Sequence, residues 1–421
     1  HEPGEFISPI FCVPKPNDKI RLILNLKKFN ESVANVHFKM DNIQTVLKRI
    51  TKNCWMASID LKDAYYSVKV DPLYQKYLEF SFGNDLYQFT AFPNGLSTCP
   101  RQFTKLLKPA LAYLRVEGYI IVAYIDDLYL QGRTLEECVQ NVIQTMKILE
   151  SLGFVVHPDK SVFIPSHRLI FLGFVLDSVK MTVTLTAEKR EKLKALIQQA
   201  LSNPSQIQIR TVAQLIGHFV SSLPAVRHGA LYYRHLDKNK TTALKSNKGN
   251  FDSIMSISAS GQQELKWWLT NIDTSFGYIT KPPINLVIYT DASLIGWGAA
   301  LASQKTGGNW SASETNTLIN NLELKAVLFA LKCFVADIET KHVKLMIDNS
   351  AAVYMINNMG SSHSKLGNSI VPDKWEFCIS KHIWITAAHV PGVENVVADR
   401  ESRKSYRDSE WMINSKVDDK F

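Results

Sequence analysis

The run VAYIDDLYL, residues 122–130, places the tightest constraint on how this chain folds. Its Val, Ile, Leu and Tyr content favours a buried strand, yet Asp126 and Asp127 stand side by side at its centre. Burying ionised carboxylates among apolar side chains costs several kcal/mol or more unless something neutralises them. Either the acids sit at a turn, for which Asp is well suited, or a cation accompanies them. The two readings are compatible, because a hairpin tip is where an exposed metal ligand belongs.

A third acid decides which chemistry the pattern can support. MASIDLKDAYYSV places Asp60 at the end of a second apolar run. If the two strands pair, three carboxylates converge, and their repulsion in a low dielectric demands cations. Oxygen-only ligation suits Mg²⁺, with Mn²⁺ as a substitute; Mg²⁺ keeps waters and takes substrate phosphates as further ligands. Two such ions about 4 Å apart activate an attacking hydroxyl and stabilise the leaving oxygen of an in-line phosphoryl displacement.

A second set lies in the C-terminal third. Asp291 ends the strand-like NLVIYTD, Glu323 sits in the helical LELKAVLF, Asp348 ends KLMID, and Asp399 lies in VVADRESR. Alone, Glu323 would be an ordinary surface acid. With three companions from separate elements it again looks like a two-metal site.

The 421 residues carry a formal net charge of +9, and the basic balance fits a polyanionic partner. With 46% hydrophobic residues the chain can build a large core. No run of about eighteen uncharged apolar residues occurs, so no membrane-spanning helix is expected. HEPGEFISPI lacks a signal peptide's pattern, and a start at His1 reads as a segment excised from a longer protein. Cys12, Cys54, Cys99, Cys138, Cys333 and Cys378 form no CxxC, which argues against zinc and a disulfide framework. A reducing intracellular compartment, cytoplasm or nucleus, fits that usage.

Strand-like runs at 20–26, 54–61, 77–82, 120–130 and 169–176 alternate with helical stretches at 100–118 and 134–153. From Thr186 the pattern turns helical, with Leu193, Leu196, Ile197, Ala200 and Leu201 on one stripe. Lys189, Lys192 and Lys194 form a basic face suited to phosphate contact. The polar stretch 237–253 is the best linker candidate. From Asn285 onward strands and helices mix over a length suited to an independent domain.

Taken in order, these motifs resemble a known family. AYIDDLYL resembles the tyrosine-aspartate-aspartate signature of reverse transcriptases, and SIDLKDAYYSV their first catalytic motif. FPNGLSTCPRQF is similar to the motif that follows, FLGFVL to the primer grip, and VPKPNDKIRLILNLKKFNE to the fingers strand pair. The resemblance implies that Asp60, Asp126 and Asp127 are catalytic metal ligands and that Lys15 and Arg21 cradle the triphosphate. It implies that Asp63 and Ala64 offer backbone N–H groups to the phosphates. Tyr65 would be the steric gate under the deoxyribose, and Lys160, in HPDKS, would protonate the leaving pyrophosphate. Retroviral members carry Gln in a PQG motif where this chain has Asn94 in PNG. That side chain is one methylene shorter, which raises the question of what Asn94 can reach in the nucleotide site.

The second set resembles ribonuclease H, with Asp291, Glu323, Asp348 and Asp399 matching its four metal-binding acids in order. HVPGVENVVAD is similar to its histidine loop and last helix, so His389 would assist proton transfer or product release. PNGLS, ELKWW and ADRESR look most like tyrosine-recombinase (DIRS-type) retrotransposons, with gypsy-type elements and hepadnaviruses as neighbours.

The expectation is an α+β and α/β multidomain chain: a right-hand polymerase followed by an RNase H-like mixed α/β domain. Fingers and palm would span 1–180, a helical thumb 181–236, a linker or connection 237–283, the RNase H domain 284–405 and a tail 406–421. Expected partners are an RNA template, a DNA primer, RNA/DNA hybrid and dNTPs. The rival reading is a domesticated or decayed element that binds nucleic acid without catalysis; the presence of all seven acids weighs against it.

Overall fold

The computed structural model describes residues 6–14, 20–34, 36–315, 317–360 and 367–404. The chain divides into two compact units, His1–Lys189 with Phe276–Thr280, and Arg190–Ser275 with Lys281–Phe421. Among the described residues, no helix is long and apolar enough to cross a membrane.

The first unit is built on an antiparallel sheet in the order Ile120–Tyr124, Asp127–Gly132, Trp55–Asp60, Val162–Ser166. Leu128, Tyr129 and Leu130 are all fully buried, so the central strand is covered on both faces. On one face lie the helices Cys99–Val116 and Leu135–Ser151, whose Phe103, Leu107, Leu111, Cys138 and Val142 share a core with Ile59, Leu128 and Leu130. On the other, Tyr129 meets the Phe171 ring. A separate hairpin, Ile10–Pro14 with Ile20–Leu24, carries Arg21.

Two runs that read as single strands are hairpins. Residues 120–130 break at Ile125–Asp126, with Tyr124 paired to Asp127 and Ile125 at a φ of 56°. Residues 169–176 break at Leu172–Gly173, both at positive φ, with Phe171 paired to Phe174. Two-residue loops of this kind match the right-handed twist of the strands, and apolar content alone does not register so short a break. The first loop is the informative one. Positive φ is costly for a β-branched residue, so the chain tolerates strain at Ile125 directly before the paired acids.

In the second unit the polar stretch expected as a linker supplies most of the helix Arg234–Ser246. That helix has a physical anchor: Leu236 is fully buried, and the buried Glu264 carboxylate accepts from the N–H groups of His235 and Leu236, both at 2.9 Å. An acid at a helix N-terminus satisfies orphan amides and complements the dipole. With only one buried stripe, such a helix reads in sequence like a polar loop. Beside it, Phe219 and Trp268 stack at 4.3 Å, joining the helices Ile209–Ser222 and Ala259–Asn271. The expected basic face is also partly used inside the protein. Lys194 is ion-paired with Asp273 and Glu191, and Lys189 lies over the Phe174 ring at 4.3 Å.

The remainder of this unit is a five-stranded sheet in the order Gln304–Asn309, Gly296–Leu301, Leu286–Ala292, His342–Ile347, Trp384–His389. Leu286–Ala292, His342–Ile347 and Trp384–His389 run parallel, so their carboxyl ends share one edge. Helix Ile319–Cys333 buries Leu322, Ala326, Val327 and Ala330 against the sheet. Leu231, which precedes the helix Arg234–Ser246, is part of the same core. Helix Val396–Ser402 seats directly on strand Gly296–Leu301, because Gly298 leaves room for it: a Cβ there would collide with Ala398 O and Ser402 N. Gly298→Ala should therefore destabilise this unit by about 1–3 kcal/mol, as overpacking does. Denaturant unfolding followed through tryptophan fluorescence checks this; an unchanged midpoint contradicts the close seating.

Candidate active sites

The first acid site follows from strand register. Asp60 and Asp127 are direct antiparallel partners, so their side chains leave the sheet on the same face, and Asp126 occupies the adjoining loop. Local bonds fix the arrangement. The Asp126 carbonyl accepts from Leu61 N–H at 2.9 Å, Asp60 N–H donates to Ser161 Oγ at 3.0 Å, and the Asp60 carbonyl accepts from His157 N–H at 2.8 Å. Lys160 Nζ stands 3.6 Å from Asp60 Oδ2. Burial, and then the charges of Asp126 and Asp60, push Asp127 up to about 6. Burial also raises Asp126, opposed by Lys160 and Arg21.

Around these acids the chain turns at Asp63, in the left-handed region at φ 49°, into the short 3-10 turn Ala64–Ser67. Ala64 is buried. The Tyr65 ring lies edge-on to Phe103, and burial, then the Cys99, Asp126 and Tyr124 charges, push its phenol up to about 12. Tyr65 thus packs against the core on the side where the Asp126 charge reaches it. Lys15 lies outside the described residues.

The second site is tighter. Asp291 lies near the end of Leu286–Ala292, Asp348 directly follows His342–Ile347, and Glu323 projects from Ile319–Cys333. One ligand atom from each of Asp291, Glu323 and Asp348 lies within 4.8 Å of the others, the one such acid, His or Cys trio among the described residues. Burial, then Asp291 and Asp348, push Glu323 up to about 9, and its Oε2 is buried with no hydrogen-bond partner. An orphaned carboxylate oxygen within such a trio fits a divalent cation. His389 ends the neighbouring parallel strand and donates from Nε2 to the Asp348 carbonyl at 3.1 Å. Asp399 stands outside the trio. Its Oδ1 is engaged by Arg403 Nε at 2.7 Å, although its charge still helps raise Asp291.

Some supporting residues escape the motif reading. Ser402 is buried and donates from Oγ to Asp291 Oδ2 at 2.5 Å; Asn395 is buried and donates to the Thr290 carbonyl at 3.0 Å. Their signal is spacing: Ser402 follows Asp399 by three residues, so the same helix turn that presents the acid presents the hydroxyl.

Residues 13–176 match the model described as reverse transcriptase (RNA-dependent DNA polymerase), and residues 281–370 match the RNase H-like domain found in reverse transcriptase. The chain carries a reverse transcriptase domain and an RNase H-like domain. His389 and Asp399 lie beyond the second match, so their placement rests on the fold. The enzymatic polyprotein of Figwort mosaic virus (strain DxS) is 22% identical over 94% of this chain and 58% of the relative. The retrovirus-related Pol polyprotein from transposon gypsy of Drosophila melanogaster is 23% identical over 94% of this chain and 38% of the relative. The chain thus spans less than two thirds of either. A structure of the foamy viral protease-reverse transcriptase in complex with RNA/DNA hybrid covers 98% of this chain and 53% of its own, at 16% identity and a TM-score of 0.54.

The raised acids make pH a direct probe. Glu323 holds its proton more tightly folded than unfolded, so its contribution to stability is full below its ordinary 4.5 and is lost as pH rises toward about 9. Without divalent cations, Glu323→Gln should therefore unfold at a higher temperature than the parent chain, and the gap should widen from about pH 5 to about pH 9. Thermal melts across that range decide it; a gap independent of pH contradicts the assignment.

Proposed function

We propose that this chain is the polymerase–nuclease segment of a retroelement polyprotein, copying RNA and then DNA and cutting the RNA strand of the hybrid. The observation that carries it is the presence, in one chain, of two separate acid sites at strand ends, each inside the matching domain or bordering it. Divalent cations, Mg²⁺ or Mn²⁺, would supply Lewis-acid charge at the reacting oxygens in both sites. Asp60, Asp126 and Asp127 would hold them in the polymerase domain, and Asp291, Glu323 and Asp348 in the nuclease, with Asp399 joining if Arg403 yields it.

The remaining work falls to neighbouring side chains. In polymerisation the primer 3′-OH attacks the α-phosphate of a dNTP and pyrophosphate leaves. Arg21 and Lys160, whose charges act on Asp126, would meet the triphosphate and the leaving pyrophosphate. Tyr65 would exclude a 2′-OH by bulk. In the nuclease, water attacks the RNA phosphodiester, and His389, anchored beside Asp348, would move a proton or help product leave. The finer placement among tyrosine-recombinase retrotransposons rests on PNGLS, ELKWW and ADRESR alone; the relatives matched above are a plant pararetrovirus and a gypsy element.

Separation of the two sites is the test. Asp127→Asn should abolish Mg²⁺-dependent primer extension on an RNA template while hybrid cleavage persists, and Asp348→Asn should do the reverse. Tyr65→Ala should raise rNTP use relative to dNTP in single-nucleotide kinetics. Wild-type rates in both aspartate variants would overturn the assignment of these acids, and a parent chain that binds hybrid yet shows neither activity would favour the non-catalytic reading.

A further inference from the structure

Asp60 is held by more than its strand ladder. Strand Trp55–Asp60 pairs with Val162–Ser166 only as far as Ser58, opposite Val162, and pairing resumes at a single bridge between Leu61 and Val156. Between those two points residues 157–161 leave the sheet as a turn, closed by Ser161 N–H donating to the His157 carbonyl at 3.2 Å. Asp60 lies across the mouth of that turn, where regular pairing has lapsed.

The turn grips Asp60 at both edges of its backbone. His157 N–H donates to the Asp60 carbonyl at 2.8 Å, and Asp60 N–H donates to Ser161 Oγ at 3.0 Å. The Ser161 hydroxyl thus stands in for the carbonyl that a continuing strand would offer. Its own proton goes back into the turn, to the His157 carbonyl at 2.7 Å. One hydroxyl therefore accepts from the strand and donates within the turn. Lys160 immediately precedes Ser161 and brings Nζ to 3.6 Å from Asp60 Oδ2. Its side chain is 61% exposed, so little packing restrains it, and the turn sets where its stem begins.

We propose that Ser161 is a positioning residue for polymerisation: its hydroxyl fastens the turn to Asp60 and so keeps the Lys160 ammonium at the acid edge, where it meets the leaving pyrophosphate. The inference rests on the polymerase reading above. A bond that only stabilised the fold would move the melting midpoint and be indifferent to the presence of Lys160.

Single-turnover incorporation of one dNTP on a primed RNA template tests it, with thermal midpoints checking that each variant folds. Ser161→Ala should lower the maximal rate about three- to tenfold, the range of one neutral hydrogen bond, and leave the dNTP concentration for half-maximal rate nearly unchanged. Ser161→Thr, which keeps the hydroxyl, should restore the parent rate. Lys160→Ala should slow the step as well, and adding Ser161→Ala to it should cost nothing further, because the serine acts through the lysine. A parent rate in Ser161→Ala or in Lys160→Ala, a serine effect of equal size with and without Lys160, or failure of Thr to restore the rate each overturns the inference. A parent chain that extends no primer overturns the polymerase reading and the inference with it, so the two failures are distinct.

Discussion

The structure depends on crowding carboxylates where water cannot screen them. Glu323 and Asp127 are both pushed well above the ordinary carboxylate range, first by burial and then by neighbouring acids. The cations at hand do little to relieve this. Lys160 ion-pairs with Asp60 and is largely exposed, and its charge lowers Asp126 and Asp127 less than burial raises them, while Arg403 takes Asp399, outside the tight trio. Absent a cation, protonation relieves the crowding: with its carboxyl pushed up to about 9, Glu323 keeps its proton at neutral pH.

The two units reach that arrangement by different routes. In the reverse transcriptase domain an antiparallel pair does it: register places Asp60 opposite Asp127, and a strained two-residue loop adds Asp126. In the RNase H-like domain a parallel set does it, since parallel strands bring their carboxyl ends, and with them Asp291, Asp348 and His389, to one edge. A helix crossing that edge contributes Glu323. Backbone pairing, rather than side-chain attraction, overcomes the repulsion, and the supporting bonds from Ser161 and Ser402 hold the acids in place.

Much of this was legible because carboxylates at the ends of apolar runs violate the usual pattern, and violations stand out. Asp60, Asp126, Asp127, Asp291 and Asp348 stand out on that ground, whereas Glu323, Asp399 and Tyr65 were singled out only by the family resemblance. What stayed hidden depended on partners distant in sequence. The helix at 234–246 is anchored by Glu264, some thirty residues on, and its solvent face looks like a loop. The basic face of the helix Ala187–Ser202 reads as free in the sequence, but Asp273 holds Lys194. Asn94 looked like a shortened ligand, and only the fold brings Tyr66, which lies 28 residues earlier, to its amide. The engagement of Asp399 by Arg403 is a helical i, i+4 pair that the sequence contains, but family matching directs attention to the acid alone.

The central claim is that divalent cations resolve the charge crowding in both sites. Its most direct test is the thermal unfolding of the free chain at neutral pH, titrated with Mg²⁺ at constant ionic strength. A ligand that binds only the folded state raises stability by RT ln(1 + [L]/Kd). The account predicts midpoints that climb with Mg²⁺, and a climb that is lost when Asp127→Asn and Glu323→Gln are combined. Midpoints that respond to Mg²⁺ no more than to NaCl of equal ionic strength would contradict it.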